Sequence, residues 1–403
     1  MVNPNAVDPS QPGGTRHYCL AEKLVGLGHE VTVIGSSIHY SIREDTHLSS
    51  GETYRIQDCD GVRFVWLKSI PYKSNSVGRV CSMLKFAHSV RRQLPKLGLG
   101  APDVILGSVP DLFSAYAAQR LSRQMGAAFV LEVRDLWPSS LVEVAGLSNR
   151  HPLVMLMGRI ERYLYRKARE IITLMPEGRL RIAECGVHDR NVTWIPNGVD
   201  TTNMSAPEYP GVHNPLTAMY AGAHGDANGL DAVLDAAALL LETPCAQSLR
   251  ICLAGSGPAK ARLAKRVEDE GLTNVSFEDA VPKSQMRDLY AKADMFIFVL
   301  RPLRLFEVYG VSPNKLYEYM AAARPIVFAC SSGNNPVAEA QCGVSADPRS
   351  PQEITDALRT ISEMSAEERA AMGARAREYA ERNHSFDALA RKAEAVFERA
   401  MNG

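Results

Sequence analysis

The stretch GVSPNKLYEYMAAARPIV, Gly310 to Val327, decides how this sequence is read. A serine and a proline open an apparent helix, Lys315 and Glu318 follow on one side of it, and an apolar strand comes straight after. Ser312 suits an N-cap, and Pro313 suits the first helical position because its missing N–H would have had no partner there. The backbone N–H groups of Asn314 and Lys315 then point out of the helix with the positive end of its dipole behind them. That is an anion site before any side chain is counted, and Lys315 adds a full charge to it. Glu318 lies three residues on, about one turn away on the same face, where a carboxylate accepts hydrogen bonds from neutral hydroxyls such as those of a ribose. A nucleotide diphosphate has both features. The same residues also read as an ordinary capped helix carrying a solvated Lys/Glu pair.

Outward from this stretch, short apolar runs alternate with helix-period segments along most of the chain. Expected strands are 30–34, 62–67, 104–106, 128–133, 171–174 and 192–195, then 217–220, 249–253, 275–277, 295–299 and 326–329. Continuous apolar strands between helices imply parallel sheets covered on both faces. The two series are separated by IPNGVDTTNMSAPEYPGVHNP, Ile195 to Pro215, where Gly, Pro, Asn and Thr accumulate and no periodicity survives. The expected division is a first domain over 1–200, a linker over 201–215, a second domain over 216–384 and a C-terminal helix over 385–403, with Ser385 as its N-cap. In such sheets ligands bind beyond the carboxyl ends of the strands, so chemistry is sought there.

Length and charge agree with this. A chain of 403 residues supports two cores, and 45 Lys and Arg against 45 Asp and Glu leave no net charge, which gives no basis for expecting a nucleic-acid partner. The eight cysteines show no metal-ligand spacing and read as thiols of a reducing compartment. The opening MVNPNAVDPSQPGG lacks the apolar core of an export signal, and no window approaches the roughly 18 apolar residues of a spanning helix. A cytoplasmic protein, soluble or lying on a membrane surface, is expected.

Further candidates stand at strand ends. SQPGGTRHY places Gly13 and Gly14 directly before a helix, where backbone can approach a phosphate; most Gly-Gly pairs are merely turns. GAAFVLEVRDLWP ends a strand with Glu132, Arg134 and Asp135, charges that need either partners or a task; a structural Arg/Asp pair closing the loop is the plainer reading. MYAGAHGDANGLDAVLDAA puts Gly222, His224 and Gly225 in a loop expected to face a ligand. LAGSGP, 253–258, is a third glycine turn without the full dinucleotide fingerprint.

Taken in order, SPNKLYEYMAAARPIV, IPNGVD, YAGAHGDANGL, LAGSGP and PGGTRHYCLAEKLVGLGHEVTVI resemble the family 4 retaining glycosyltransferases. They are most similar to the bacterial branch that builds O-antigen and capsule sugars, including N-acetylfucosamine transferases. The resemblance implies a GT-B fold: two Rossmann-like α/β domains with parallel sheets facing an interdomain cleft, and a C-terminal helix packing back across. It implies an NDP-sugar, here a UDP-sugar co-substrate, in the second domain and an acceptor in the first, with neither metal nor other cofactor. Glu318 would bind the ribose, Lys315 with the Ser312 to Asn314 backbone the diphosphate, and Gly13 and Gly14 would close on it. Gly222, His224 and Gly225 would line the donor site, and Arg134 or Asp135 would face the reacting sugar. Lys315 is the expected catalytic cation, neutralising the charge that grows on the leaving group.

Three positions depart from the family pattern. Gly310 stands where many relatives have the first glutamate of Glu-x7-Glu. The Arg and Lys of the family's glycine loop are absent from GAHGDANG, so Arg16, Arg301 or Arg304 would substitute. The chain also opens almost at the loop that a first β-strand should precede, so the start is misassigned or the strand clipped.

Between Gly61 and Pro102 there is no acidic residue, while eight Lys and Arg accumulate. VGRVCSMLKFAHSVRRQLPKL reads as a basic amphipathic helix suited to an anionic leaflet, and equally as a core-facing stripe with a solvated basic back. HPLVMLMGRIERYLYRKAREI adds Arg159, Arg162, Arg166, Lys167 and Arg169. The expected partners are therefore the inner membrane surface and a polyprenyl-diphosphate-linked acceptor. Rival readings are a non-hydrolysing UDP-N-acetylglucosamine 2-epimerase, which would need acid and base groups, and a two-domain nucleotide-sugar binding protein.

Overall fold

The structure is a computed structural model, and it describes residues 1–11, 13–73, 77–201 and 213–403. The chain forms two compact units, Met1–Asn197 with Phe386–Gly403, and Gly198–Ser385. Most of the expected linker, 201–215, lies outside the described residues.

Among the described residues thirteen strands are formed. In the first unit they are β1 (Thr32–Ser36), β2 (Tyr54–Cys59), β3 (Val62–Leu67), β4 (Val104–Val109), β5 (Ala128–Val133), β6 (Glu170–Thr173) and β7 (Asn191–Trp194). In the second they are β8 (Leu216–Ala221), β9 (Leu249–Ala254), β10 (Val275–Glu278), β11 (Met295–Val299), β12 (Ile326–Ala329) and β13 (Gly343–Ala346). The expected apolar runs all become strands. β2 and β13 went unread: β2 is an exposed polar strand antiparallel to β3, and β13 is a four-residue edge with no apolar run.

The second unit is a six-stranded sheet ordered β10-β9-β8-β11-β12-β13, parallel at every pairing. This is the 3-2-1-4-5-6 order of a Rossmann sheet, with its switch point between β8 and β11. Met219, Phe296, Phe298 and Phe328 pack on one face, and Tyr220, Ile251, Ile297 and Val327 on the other, all buried. Burial on both faces is what made these strands legible as unbroken apolar runs.

The first unit repeats the order. β2-β3-β1 and β4-β5-β6-β7 are joined by Met1–Asn3, for Val2 bridges Ile34 on one side and Gly107 on the other, both in parallel. Val2 donates to the Leu106 carbonyl at 2.7 Å, and the Ile34 N–H donates to the Met1 carbonyl at 2.8 Å. Met1–Asn3 thus takes the central position between β1 and β4. Beside Met1 lies a cavity of about 480 Å³ between Glu30–Thr32 and Asp103–Ile105. The Met1 ammonium donates to the Thr32 carbonyl at 2.7 Å, and burial lowers its pKa to about 5.

The final helix, Phe386–Asn402, belongs to the first unit, burying Leu389, Ala390, Ala393 and Val396 with Leu20, Ala21 and Leu24 of helix Arg16–Gly26. Ser385 is extended between this helix and Ala366–His384.

Candidate functional site

The candidate site of the second unit is built on helix Asn314–Ala321 and the loops that leave β8 and β11. The helix begins one residue later than expected: Pro313 is extended and occupies the cap position, and no side chain caps the helix. Ser312 therefore lies one residue outside the cap, because a proline held at ψ 137 defers helical geometry to Asn314. Asn334 fixes the approach to the helix, its amide accepting from the Val311 N–H at 2.8 Å and donating to the Val311 carbonyl at 3.1 Å. Tyr319 anchors the helix to β8, its hydroxyl accepting from the Ala221 N–H at 2.8 Å and donating to the Ala221 carbonyl at 2.7 Å.

Lys315 lies one turn before Tyr319 on the same face, and so reaches the end of β8. Its ammonium donates to the Tyr220 hydroxyl at 2.9 Å and to Asn228 Oδ1 at 2.5 Å, and stands 4.5 Å from the Tyr220 ring centre and 5.7 Å from that of Phe298. All these partners are neutral, and among the described residues Lys315 makes no salt bridge. Burial lowers its pKa to about 7. A Cβ on Gly222 would stand 3.3 Å from the Tyr220 hydroxyl and 3.5 Å from Lys315 Cδ, a snug fit beside the lysine stem without overlap. Glu318, half-buried on the neighbouring face, accepts from the Tyr290 hydroxyl at 3.0 Å.

The glycine loops meet each other. The 222–225 and 255–257 segments pair backbone to backbone, Gly222 N–H to the Ala254 carbonyl at 2.9 Å and His224 N–H to the Ser256 carbonyl at 2.8 Å. A Cβ at Gly255 would lie 1.9 Å from the Gly222 carbonyl oxygen, and one at Gly257 2.5 Å from that of His224. Their φ values, +139° and +155°, are ones L side chains rarely adopt. His224 is fully buried beneath this junction against Tyr220 and Phe277, and burial with Lys260 and Lys315 nearby lowers its imidazole pKa. Gly225 precedes the 226–228 turn. Arg301 pins that turn through its backbone N–H, donating to the Ala227 carbonyl at 3.1 Å, and its exposed side chain lines a cavity of about 360 Å³ with Asp226, Gly229 and Pro348. Arg301 is thus near the Lys315 cluster through Asn228.

In the first unit, Gly13 and Gly14 precede helix Arg16–Gly26, and Gly14 N–H donates to the Tyr40 hydroxyl at 3.3 Å. Arg16 is committed to structure. It is buried, donating to Glu132 Oε1 at 2.9 Å, to the Ile195 carbonyl at 3.0 Å and to the Pro196 carbonyl. Burial pushes the Glu132 carboxyl up, but Arg16, His17 and Arg134 together hold it well below the usual carboxylate range. His17 completes the network, held by burial below its ordinary pKa and hydrogen-bonded to Asn3 at 3.1 Å and Ser108 at 2.8 Å.

The structure separates Arg134 from Asp135. Asp135 accepts from Leu136 N–H at 2.8 Å, Trp137 Nε1 at 3.0 Å and Ser140 Oγ at 2.5 Å, all within its own loop. Arg134, by contrast, has a buried Nε without a partner and no salt bridge among the described residues. Burial lowers its pKa, and the nearby charge of Glu132 opposes that shift.

Sequence reasoning missed Tyr220, Asn228, Tyr290, Tyr319 and Asn334. Each is set by tertiary contact, and none lies in a spacing that announces it. Among the described residues no group of three His, Cys, Asp or Glu is placed to hold a metal ion.

Two successive stretches match family models: residues 13–198 that of the "Glycosyl transferase 4-like domain", and residues 215–364 that of "Glycosyl transferases group 1". Two Rossmann-like units that each match a glycosyltransferase domain define a GT-B glycosyltransferase. Each unit matches a glycosyltransferase domain model, and the fold they build is the GT-B fold. Over 275 residues, 64% of its length, the chain is 27% identical to a protein of Escherichia coli (strain K12) whose name assigns it to colanic acid biosynthesis as the glycosyl transferase WcaI. The alignment spans 65% of that relative's length. Among solved structures, sucrose-phosphate synthase of Thermosynechococcus elongatus matches with a TM-score of 0.76 at 15% identity, over 100% of this chain and 98% of that one. Anabaena HepE in complex with UDP and glucose matches at 0.67 and 15%, over 98% of each chain. At these identities the likeness is one of fold.

Proposed function

We propose that the protein transfers a hexose or N-acetylhexosamine from a UDP-sugar to a lipid-linked saccharide in cell-surface polysaccharide synthesis, retaining anomeric configuration and using no metal. The observation that carries this is Lys315: a half-buried ammonium at the carboxyl edge of a Rossmann sheet, depressed in pKa, with neutral partners only. A cation desolvated without a counter-ion is costly, and a ligand diphosphate would supply the missing charge. The first-turn N–H groups of the helix add to the same anion site. In this reading Glu318 binds the ribose, its carboxylate accepting from Tyr290. As the glycosidic bond breaks, Lys315 neutralises charge on the departing diphosphate, which in turn takes the acceptor's proton. Arg134 supplies a second cation, in the first unit, for the anionic part of either substrate.

HepE was solved with UDP and glucose, and WcaI is named for polysaccharide synthesis; both support a UDP-sugar and a saccharide acceptor. Attachment to the inner membrane face, in the cytoplasm, belongs to the same proposal. Helix Pro152–Lys167 exposes Met155 and Leu156 along with Arg159, Arg162, Arg166 and Lys167, a surface suited to an anionic leaflet. No helix among the described residues is long and apolar enough to cross a membrane.

The test is thermal melting with and without UDP, GDP and ADP. UDP at about a hundred times its dissociation constant stabilises by roughly 2.7 kcal/mol, a shift of several degrees. Glu318→Ala is expected to fold and to lose the UDP shift. A folded wild-type protein that responds to no nucleotide has no donor site, and the proposal falls.

A further inference from the structure

At the carboxyl edge of the first unit's sheet, the ends of β1, β3 and β4 surround a cavity of about 30 Å³, with room for one or two water-sized groups. It is lined by Asn5, Ser36, Tyr72, Arg79, Ser82 and Asp111, so it offers hydroxyls, an amide, one guanidinium and one carboxylate.

Asp111 is the unusual member. It caps helix Leu112–Met125, its Oδ1 accepting from Phe113 N–H at 3.0 Å and Ser114 N–H at 3.2 Å. The residue is 2% exposed, and its Oδ2 is buried with no hydrogen-bond partner. Asparagine caps a helix as well as aspartate does and would bring no charge into the interior. A carboxylate kept here with one oxygen unsatisfied is a cost to folding that the cap does not explain. Burial raises its pKa to about 6, against the helix N–H groups and the charge of Arg79.

We propose that this cavity receives a hydroxyl or hydroxymethyl arm of the saccharide acceptor, whose O–H is accepted by the free oxygen of Asp111. Arg79, ranged against Trp137 at 5.4 Å from its ring centre, borders the arm, and the serines give it further polar contacts. The cavity is too small for a sugar ring, so it selects by one protruding hydroxyl and leaves the ring outside. This assignment rests on the reading of the protein as a transferase to a saccharide acceptor.

The test uses the full chain, with Asp111→Asn and Asp111→Ala beside wild type. Binding of a panel of methyl hexopyranosides and methyl N-acetylhexosaminides is read by saturation-transfer NMR in the presence of UDP. Wild type is expected to bind at least one glycoside through a hydroxyl-bearing arm, and Asp111→Asn to bind it at least about tenfold more weakly, the range for a lost hydrogen bond to a charged group. Asp111→Asn should melt no lower than wild type, because the cap survives, whereas Asp111→Ala loses the cap. The UDP-induced shift should be unchanged in Asp111→Asn, which separates this outcome from failure of the donor site. Three results overturn the proposal: no glycoside binding by wild type, equal binding by Asp111→Asn, or a marked destabilisation by Asp111→Asn, which would make the carboxylate structural.

Discussion

Lys315 shows how far a single residue can be read. Its spacing from Glu318 and its place near a helix start were visible in the sequence. Its surroundings were not, because Tyr220, Asn228 and Phe298 come from two strands and a loop far away in the chain. Those neutral partners set two expectations. Lys315→Met removes a desolvated charge, so the free protein should lose no stability in a thermal or urea melt, while UDP binding by calorimetry weakens by about 1.5–3 kcal/mol, the worth of a hydrogen bond to a charged group. The pH dependence has a definite sign. In the free protein the ammonium titrates near 7, and a bound diphosphate raises that value by favouring the charged form. Between about 7 and the higher pKa of the complex, binding must therefore take up a proton, and UDP affinity should fall as pH rises. Calorimetry at pH 8 in buffers of different ionisation enthalpy measures the uptake; its absence would show that Lys315 and the diphosphate do not meet.

Among the elements, the legible ones were those buried on both faces. β11 and β12 fell where expected because unbroken apolar runs have one use in a parallel sheet, whereas β2 lies at an edge in water and carries no such signal. Loops were legible only as loops. Gly255 and Gly257 announced a close approach but not what is approached, and here it is another stretch of backbone. Gly255→Ala should accordingly cost more than about 2 kcal/mol in urea unfolding of the second unit, since steric overlap and a left-handed φ act together. The charged strand end of β5 was the reverse case: the sequence offered structure or function, and Glu132 and Asp135 hold structure while Arg134 makes no salt bridge among the described residues. Arg16→Ala leaves Glu132 buried without its main counter-ion, so it should destabilise the first unit by about 3–5 kcal/mol, with circular dichroism showing whether that unit still folds.

Across the whole molecule, every large hydrophobic side chain that is exposed among the described residues lies in the first unit, from Leu27 to Met401. With the basic face of helix Pro152–Lys167, this makes the first unit the expected membrane-facing body. Flotation with anionic vesicles should retain the protein at low salt and release it at high salt, and Arg159→Glu with Arg162→Glu should release it at both; retention by the double variant at low salt would refute this docking face. The GT-B class was legible at this scale from the order of motifs, while the seam that joins the two halves of the first sheet was not legible. Its structural form, a chain terminus set between two neighbouring strands, has a practical consequence for handling the protein. Anything joined ahead of Met1 has a track waiting for it, since about three further residues in the same register reach Glu30 and Asp103 at roughly 3.3 Å each. A short leader of β-branched residues should act as a splint and raise the melting temperature, and a polyhistidine leader should act as a wedge and lower it, so that the choice of tag becomes a choice of sheet.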